Sequence, residues 1–291
     1  SRTMTQKSQK RNGLVLTSGG PKCAFQIGVI KALEEIGIRF DIGAAASGGA
    51  PTMFAYFNRQ IDALEDVWRN EVTSKKFVNM LRHFSGKPIM DVNYLIYEVL
   101  SNRINFDKND CVDLDAEMII SLYNITQKKP SYKSIKSTSK KHALDILYAA
   151  VSAPFINDGY IQLNGDTYYD GGIYDPCPWE QLESRGVSHI LVVGTRPKNP
   201  KDYSAQFIKT LFLKHPDPIV RNFRQHALES FYTHDRKMSD ILNNQKENLT
   251  VIIPRHKSLF KYHLLNNSPK AVDDLITHGY DEVMNNYKRK E

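Results

Sequence analysis

Ser47 lies in the stretch Phe40-Asp41-Ile42-Gly43-Ala44-Ala45-Ala46-Ser47-Gly48-Gly49-Ala50, a short apolar run ending in one serine wrapped in glycine and alanine. Small residues on both sides allow a sharp strand-to-helix turn that holds the hydroxyl in the open, as at the nucleophile elbow of a serine hydrolase. The chemistry would be acyl transfer through an acyl-serine, with water as final acceptor. The usual spacing is G-x-S-x-G, and here Ala45 stands at the first glycine. A small-residue loop where a helix packs against a sheet has the same composition, so the serine needs partners to carry a functional reading.

Two other segments could supply them. Ser18-Gly19-Gly20-Pro21-Lys22 falls between an expected strand and an expected helix. Glycines there let backbone N–H groups point inward at a helix start, where the dipole favours negative charge. That geometry can hold a phosphate or the oxyanion of a tetrahedral intermediate. Tyr169-Asp170-Gly171-Gly172 reads as a turn after a strand, and Asp170 could accept the serine proton directly or by way of a water. Each piece has a plainer reading. Gly-Gly after a strand is often only a tight turn, and so is Asp-Gly-Gly. The P-loop spacing G-x-x-x-x-G-K-S/T and the pattern G-x-G-x-x-G are both absent, which argues against a nucleotide site. What raises the functional reading is the joint occurrence of the three pieces, with strands before the first two.

The elements that must position them read as follows. Gly13 to Thr17 is an apolar strand, Ala24 to Ile36 a mostly buried helix closed by Gly37, and Phe40 to Ala46 a second strand. Ser47 starts the next helix, with Pro51 in its first turn. Strand, helix, strand, helix in this order predicts a parallel βαβ unit. Further helices are expected at Ile61–Trp68, Asp91–Leu100, His142–Ala150, Pro218–Asn243 and Ala271–Tyr287. Further strands are expected at Glu117–Ile125, His189–Gly194 and Leu249–Ile253, with strand signals from 155 to 170 around the turn Asn164-Gly165. Lys128 to Lys141 carries six lysines. It reads first as a solvated loop, and second as a segment that meets anionic phospholipid headgroups.

The chain has 291 residues, 41% of them hydrophobic, enough for one large α/β domain. The formal charge of +7 is spread along the chain and is compatible with an anionic membrane surface or nucleic acid without requiring either. Three separated cysteines, Cys23, Cys111 and Cys177, imply neither a disulfide framework nor a metal site and fit a reducing compartment. Residues 1 to 12 are expected as a flexible, polar N-terminus, and Leu14-Val15-Leu16 is too short for a signal-peptide core. No run approaches eighteen apolar residues. The expectation is therefore a cytoplasmic protein that meets lipid only peripherally. The apolar positions Phe207, Ile208, Leu211, Phe212 and Leu213 read as core packing or as the flank of an acyl-chain groove.

At these residues the chain resembles the patatin-like phospholipases, in particular a bacterial-type subgroup. That family carries G-G-G-x-R/K-G, G-x-S-x-G and D-G-G/A, met here as Ser18-Gly19-Gly20-Pro21-Lys22-Cys23, Ala45-Ala46-Ser47-Gly48-Gly49 and Asp170-Gly171-Gly172. Ala150-Val151-Ser152-Ala153-Pro154-Phe155, Asp175-Pro176-Cys177-Pro178 and Val192-Val193-Gly194-Thr195 resemble supporting segments of the family. The resemblance implies a three-layer α/β/α fold with a mainly parallel central sheet. It spans a catalytic core over about 13–200, with a C-terminal helical extension over about 201–291 of the same domain.

It also implies a Ser–Asp dyad that hydrolyses a phospholipid or lysophospholipid ester. Ser47 would be the nucleophile, Asp170 the base, and Gly19 and Gly20 the oxyanion donors, with Lys22 fixing their loop. Ser18, Pro21, Gly49, Gly171 and Gly172 would support these groups. No histidine, metal or organic cofactor is implied, and no nucleic acid partner is expected. Ser18, Cys23 and Ala45 replace family glycines. A positive φ at Ser18 or Cys23 would cost about 1–3 kcal/mol per site. Those replacements would also suit a lipid- or membrane-binding module that kept the fold and lost activity, and an acyltransferase on a related fold is a third reading.

Overall fold

Strand β3 (Cys111–Asn124) organises the sheet, because three other strands pair with it. On one edge runs β4 (Lys129–Ser139), antiparallel. On the other edge β2 (Ile42–Ala46) pairs in parallel with residues 117–121, and β6 (Asp166–Asp170) pairs antiparallel with residues 122–124. From β2 the parallel part continues through β1 (Asn12–Leu16) and β7 (His189–Val193) to β8 (Leu249–Ile252). Beyond β6 lies β5 (Ile161–Leu163), joined to it by the Asn164-Gly165 turn, whose φ values of 50° and 88° are those of a two-residue hairpin. The computed structural model describes residues 11–79, 90–104, 111–153, 159–198, 216–244, 246–255 and 268–287. The side chains of Pro21 and of residues 223–232 are outside that description.

Helices cover both faces, as the three-layer α/β/α expectation requires. On one side lie α1 (Ala24–Glu35), α2 (Gly49–Phe57), α3 (Ile61–Val67) and α5 (Lys140–Ala150), together with the final helix, α8 (Pro269–Tyr287). The short turn α4 (Ser101–Arg103) ends a π-helical stretch at Tyr94–Leu100, and a second π-helical stretch at Trp68–Val72 continues α3. Across the sheet lie α6 (Trp179–Glu183) and the long α7 (Pro218–Asn243). The side chains of β1 divide accordingly, Leu14 and Leu16 toward the first layer and Val15 toward the second. A strand buried on both faces reads as a continuous apolar run, which is why β1, β2 and β7 stand out in the sequence. Pro218 starts α7 where Asp217 caps it, the carboxylate accepting from the Ile219 N–H at 2.8 Å.

The lysine segment departs from expectation. Residues 129–139 are a strand, not a solvated loop. β4 is an edge strand: Ile135 packs into one core layer and Tyr132 against the other, while Lys129 and Lys136 are exposed. Charged side chains on an edge discourage pairing with a second chain, which gives these lysines a local structural role. Lys133 also sits 5.0 Å from the centre of the Tyr168 ring. β3 begins earlier than expected, with a register irregularity between Asp113 and Met118. Pro154, Phe155 and the stripe from Phe207 to Leu213 lie outside the described residues.

α8 packs on α1 through two glycines. A β-carbon at Gly28 would lie 1.9 Å from the Ile276 carbonyl oxygen, and one at Gly279 would lie 2.1 Å from that of Phe25. The clash in each case is with backbone, so rotamer changes cannot relieve it. Gly279→Val should therefore lower the unfolding free energy by about 2 kcal/mol or more. Urea denaturation of the two proteins measures this, and equal midpoints would contradict the close crossing.

Candidate active site

Two strands end against the same short stretch of β3. Ala46, the last residue of β2, pairs with Ser121, and Asp170, the last residue of β6, pairs with the next residue, Leu122. β2 and β6 run in opposite directions, so their C-terminal ends meet, and the residues at those ends come into contact. The Ser47 hydroxyl donates to Asp170 Oδ2 at 2.6 Å. The two residues are far apart in the chain; the register of β3 brings them together.

Ser47 occupies the left-handed region, with φ at 50°. This single residue reverses the chain between β2 and α2, and Ala50 N–H closes the turn on the Ser47 carbonyl at 2.9 Å. A serine in that region is strained, and surrounding packing must hold it there. Gly49 begins α2 against the backbone of Leu16, where an added β-carbon would lie 2.7 Å from the carbonyl oxygen. Ala45 is fully buried within β2, paired with Leu16 and Ile120, and its methyl joins the core. Alanine therefore fits where the G-x-S-x-G pattern starts with glycine.

Asp170 is buried and holds both carboxylate oxygens in hydrogen bonds. Oδ2 accepts from Ser47, and Oδ1 accepts from the Gly172 N–H at 2.7 Å. Its own N–H donates to the Ser152 carbonyl at 3.0 Å. Burial pushes the Asp170 pKa up to about 7, and the bonds from Ser47 and Gly172 act against it by favouring the ionised form. Gly171 lies on β3, where a β-carbon would come within 2.5 Å of the Ser121 carbonyl. Gly172 lies where the three motifs converge: its missing β-carbon would sit 3.0 Å from Asp170 Oδ1, 3.2 Å from Ser18 Cβ and 3.5 Å from Ser47 Cβ.

The third motif is the loop from β1 to α1. It passes through Ser18 and Gly19 into a tight 3-10 turn at Gly20–Cys23, which contains Pro21. Gly20 takes a φ of 55°, which glycine adopts without strain. Ser18 N–H donates to the Pro176 carbonyl at 3.0 Å, Thr195 Oγ1 donates to the Ser18 carbonyl at 2.9 Å, and Lys22 N–H donates to the Gly19 carbonyl at 3.2 Å. The Gly19 α-carbon packs on the Thr195 side chain, and Lys22 is buried. N–H groups before a first helical turn have no intrahelical acceptor, so those of Gly19 and Gly20 suit an anionic oxygen. Ser18 is not among the positive-φ residues, and Cys23 has a φ of −62°, so neither replacement of glycine carries the strain considered above. The Cys23 thiol packs against Gly48 at the elbow, and burial raises its pKa, with the Asp170 charge adding to that.

Gly20, Ser47, Gly48 and Asp170 form the polar end of a cavity enclosing about 680 Å³, open mouth included. The rest of its lining is apolar. Leu64 and Val67 come from α3, Trp68 and Val72 from the first π-helical stretch, and Leu95 and Leu100 from the second. These wall residues were not singled out by the sequence reading. Their helices were expected, but a π-helical turn rotates side chains away from the 3.6-residue register, and periodicity does not show that. His234 is buried on α7, across the sheet from these wall helices; it lies beside Asp235, and burial lowers its pKa.

Comparison with known proteins matches a family model described as patatin-like phospholipase to residues 14–183. The uncharacterised protein YjjU of Escherichia coli K12 is 24% identical over 203 residues, covering 69% of this chain and 56% of that protein. Lysophospholipase nte1 of Aspergillus terreus is 27% identical over 183 residues, covering 62% of this chain and 12% of that protein. The chain thus spans about half the length of the first relative and a small part of the second. Among solved structures, VipD from Legionella pneumophila superposes with a TM-score of 0.50 at 14% identity, covering 95% of this chain and 66% of that one. At that identity the likeness is one of fold.

The elbow conformation carries its own test. Ser47→Gly and Ser47→Ala both remove the hydroxyl, but only glycine relieves the left-handed backbone. Ser47→Gly should be the more stable variant by about 1 kcal/mol. Urea or thermal denaturation of the pair decides, and a more stable alanine variant would count against the elbow.

Proposed function

The chain belongs to the patatin-like phospholipase family, and on that premise we propose that it hydrolyses the carboxylic ester of a phospholipid or lysophospholipid through a Ser–Asp dyad. The observation that carries this reading is the 2.6 Å hydrogen bond from Ser47 to the buried Asp170 carboxylate, at the polar end of an apolar cavity. An acyl chain would lie among Leu64, Val67, Trp68 and Leu100, with its carbonyl carbon over Ser47 Oγ.

In this mechanism Asp170 takes the Ser47 proton as Oγ bonds to the carbonyl carbon. The carbonyl oxygen becomes an oxyanion facing the N–H groups of Gly19 and Gly20, with Gly48 N–H at the same end of the cavity. The tetrahedral intermediate collapses, the ester C–O bond breaks, and protonated Asp170 gives its proton to the departing alcohol. Water then loses a proton to Asp170 and attacks the acyl-serine, and the fatty acid leaves as Ser47 recovers its proton. A single carboxylate serves both half-reactions because a pKa near neutrality lets it accept and return a proton. Among the described residues no helix is long and apolar enough to cross a membrane. The reading therefore includes peripheral encounter with an anionic lipid surface, in keeping with the formal charge of +7.

Turnover of p-nitrophenyl acyl esters tests the dyad. Ser47→Ala and Asp170→Asn should each lose about a thousandfold or more in kcat/KM. Rates equal to wild type in either variant would remove that residue from the mechanism. The pH dependence follows from Asp170: its protonated form prevails below about 7, and only the ionised form can act as base. The kcat/KM should rise about tenfold per pH unit on the acid side and level off above neutrality. A flat profile from about pH 5 to pH 8 would exclude Asp170 as the base.

A further inference from the structure

α7 touches the back of the site through charged side chains that the reaction does not consume. Lys237 Nζ donates to Asp175 Oδ1 at 2.8 Å and to Glu180 Oε2 at 2.8 Å. The Asp175 carboxylate is largely buried and also accepts from Tyr132 Oη on the edge strand β4 at 2.5 Å and from Cys177 N–H at 3.3 Å. Two residues earlier on the helix, Asp235 accepts from Arg196 Nη1 at 3.0 Å, and Arg196 follows Thr195, whose hydroxyl donates to the Ser18 carbonyl. Both ties come from a helix outside the family-matched residues 14–183.

Asp175 belongs to the loop that links the two halves of the site. Its N–H donates to the Gly171 carbonyl at 2.8 Å, and its carbonyl accepts from Ser121 Oγ at 3.0 Å. The next residue, Pro176, accepts from Ser18 N–H, while Gly172 at the start of the loop donates to Asp170. The segment 171–176 thus holds the carboxylate of the dyad at one end and the entrance to the Gly19–Gly20 loop at the other. Its side-chain anchor is the Asp175 carboxylate, and the cation on that anchor is Lys237.

We propose that Lys237 and Asp175 are positioning residues, and that α7, through this pair and the Asp235–Arg196 pair, sets the spacing between Asp170 and the oxyanion loop. The effect on turnover rests on the hydrolase reading above; the mechanical link does not. Displacing donors or base by about 1 Å lowers turnover without changing how the acyl chain sits in its cavity. An ion pair buried in this way has a further signature. Removing only the lysine leaves a buried carboxylate without its cation, which disturbs the loop more than removing both charges together.

The experiment compares wild type with Lys237→Met, Lys237→Arg and Asp175→Asn/Lys237→Met. Turnover is counted per Ser47 labelled by a fluorophosphonate, so that unfolded protein does not contribute. Lys237→Met should lose about tenfold or more in kcat with KM little changed. Lys237→Arg should recover most of the loss, and the double variant should be less impaired than Lys237→Met alone. Hydrogen exchange is read on the same proteins, and Lys237→Met should exchange faster in segments 18–23 and 171–177 than wild type. An unchanged kcat per labelled site in Lys237→Met overturns the proposal while leaving the hydrolase reading intact. If wild type itself neither labels nor turns over, the hydrolase reading fails and exchange alone decides. In that case, unchanged exchange in both segments overturns the link. Should Lys237→Met fail to fold, Asp235→Asn takes its place, with faster exchange at 18–23 as support and no change as refutation.

Discussion

The site depends on a change of partner along one edge of β3. Residues through Ser121 pair with β2, and residues from Leu122 onward pair with β6. Because one partner is parallel and the other antiparallel, two C-terminal strand ends face each other across adjacent residues. Ser47 and Asp170 are the residues at those ends. A one-residue shift of either strand would turn every side chain to the opposite face. The register is therefore held by the whole buried pattern of the sheet. Gly171 lets the junction close, because a side chain there would strike the β3 backbone.

Burial and hydrogen bonding act in opposite directions at this junction. A carboxylate removed from water prefers its protonated form, and donors from Ser47 and Gly172 restore part of the preference for charge. The outcome is a group near neutrality, as the proposed proton exchange with a hydroxyl and then with water would need. The left-handed backbone of Ser47 adds strain on the other side of the same contact. Local stability is given up at both residues, and the close-packed layers around them supply the compensation. The departures at Ser18, Cys23 and Ala45 cost little by comparison: Cys23 and Ala45 are packed in the core, and none of the three takes a positive φ.

Charge is distributed by function of place. The lysines of β4 guard an edge that would otherwise offer unpaired backbone to another chain. The lysine at 237 and the arginine at 196 are drawn inward and paired with carboxylates behind the site. The apolar cavity has charge only where Asp170 closes it, so an acyl chain and an ester bound as proposed would meet different environments.

The sequence by itself determined the three chemical motifs and most of the elements carrying them. β1, β2 and β7 were legible because strands buried on both faces are apolar throughout, and α7 because Asp217-Pro218 marks a helix start. Gly19-Gly20, Ser47 and Asp170 were legible because turns that expose backbone or a hydroxyl restrict the residue types they accept. Three things were decided only by the tertiary structure. The lysine-rich segment 128–141 looks like a loop until pairing with β3 makes an edge strand of residues 129–139, three of its six lysines among them. The cavity wall from Leu64 to Leu100 depends on two π-helical stretches whose register no periodic pattern marks. The meeting of Ser47 with Asp170, and of Lys237 with Asp175, joins residues far apart in the chain. Local sequence encodes propensity and turn chemistry over a few residues, whereas those contacts follow from which strands pair and in what register, and that is settled by burial summed over the whole sheet.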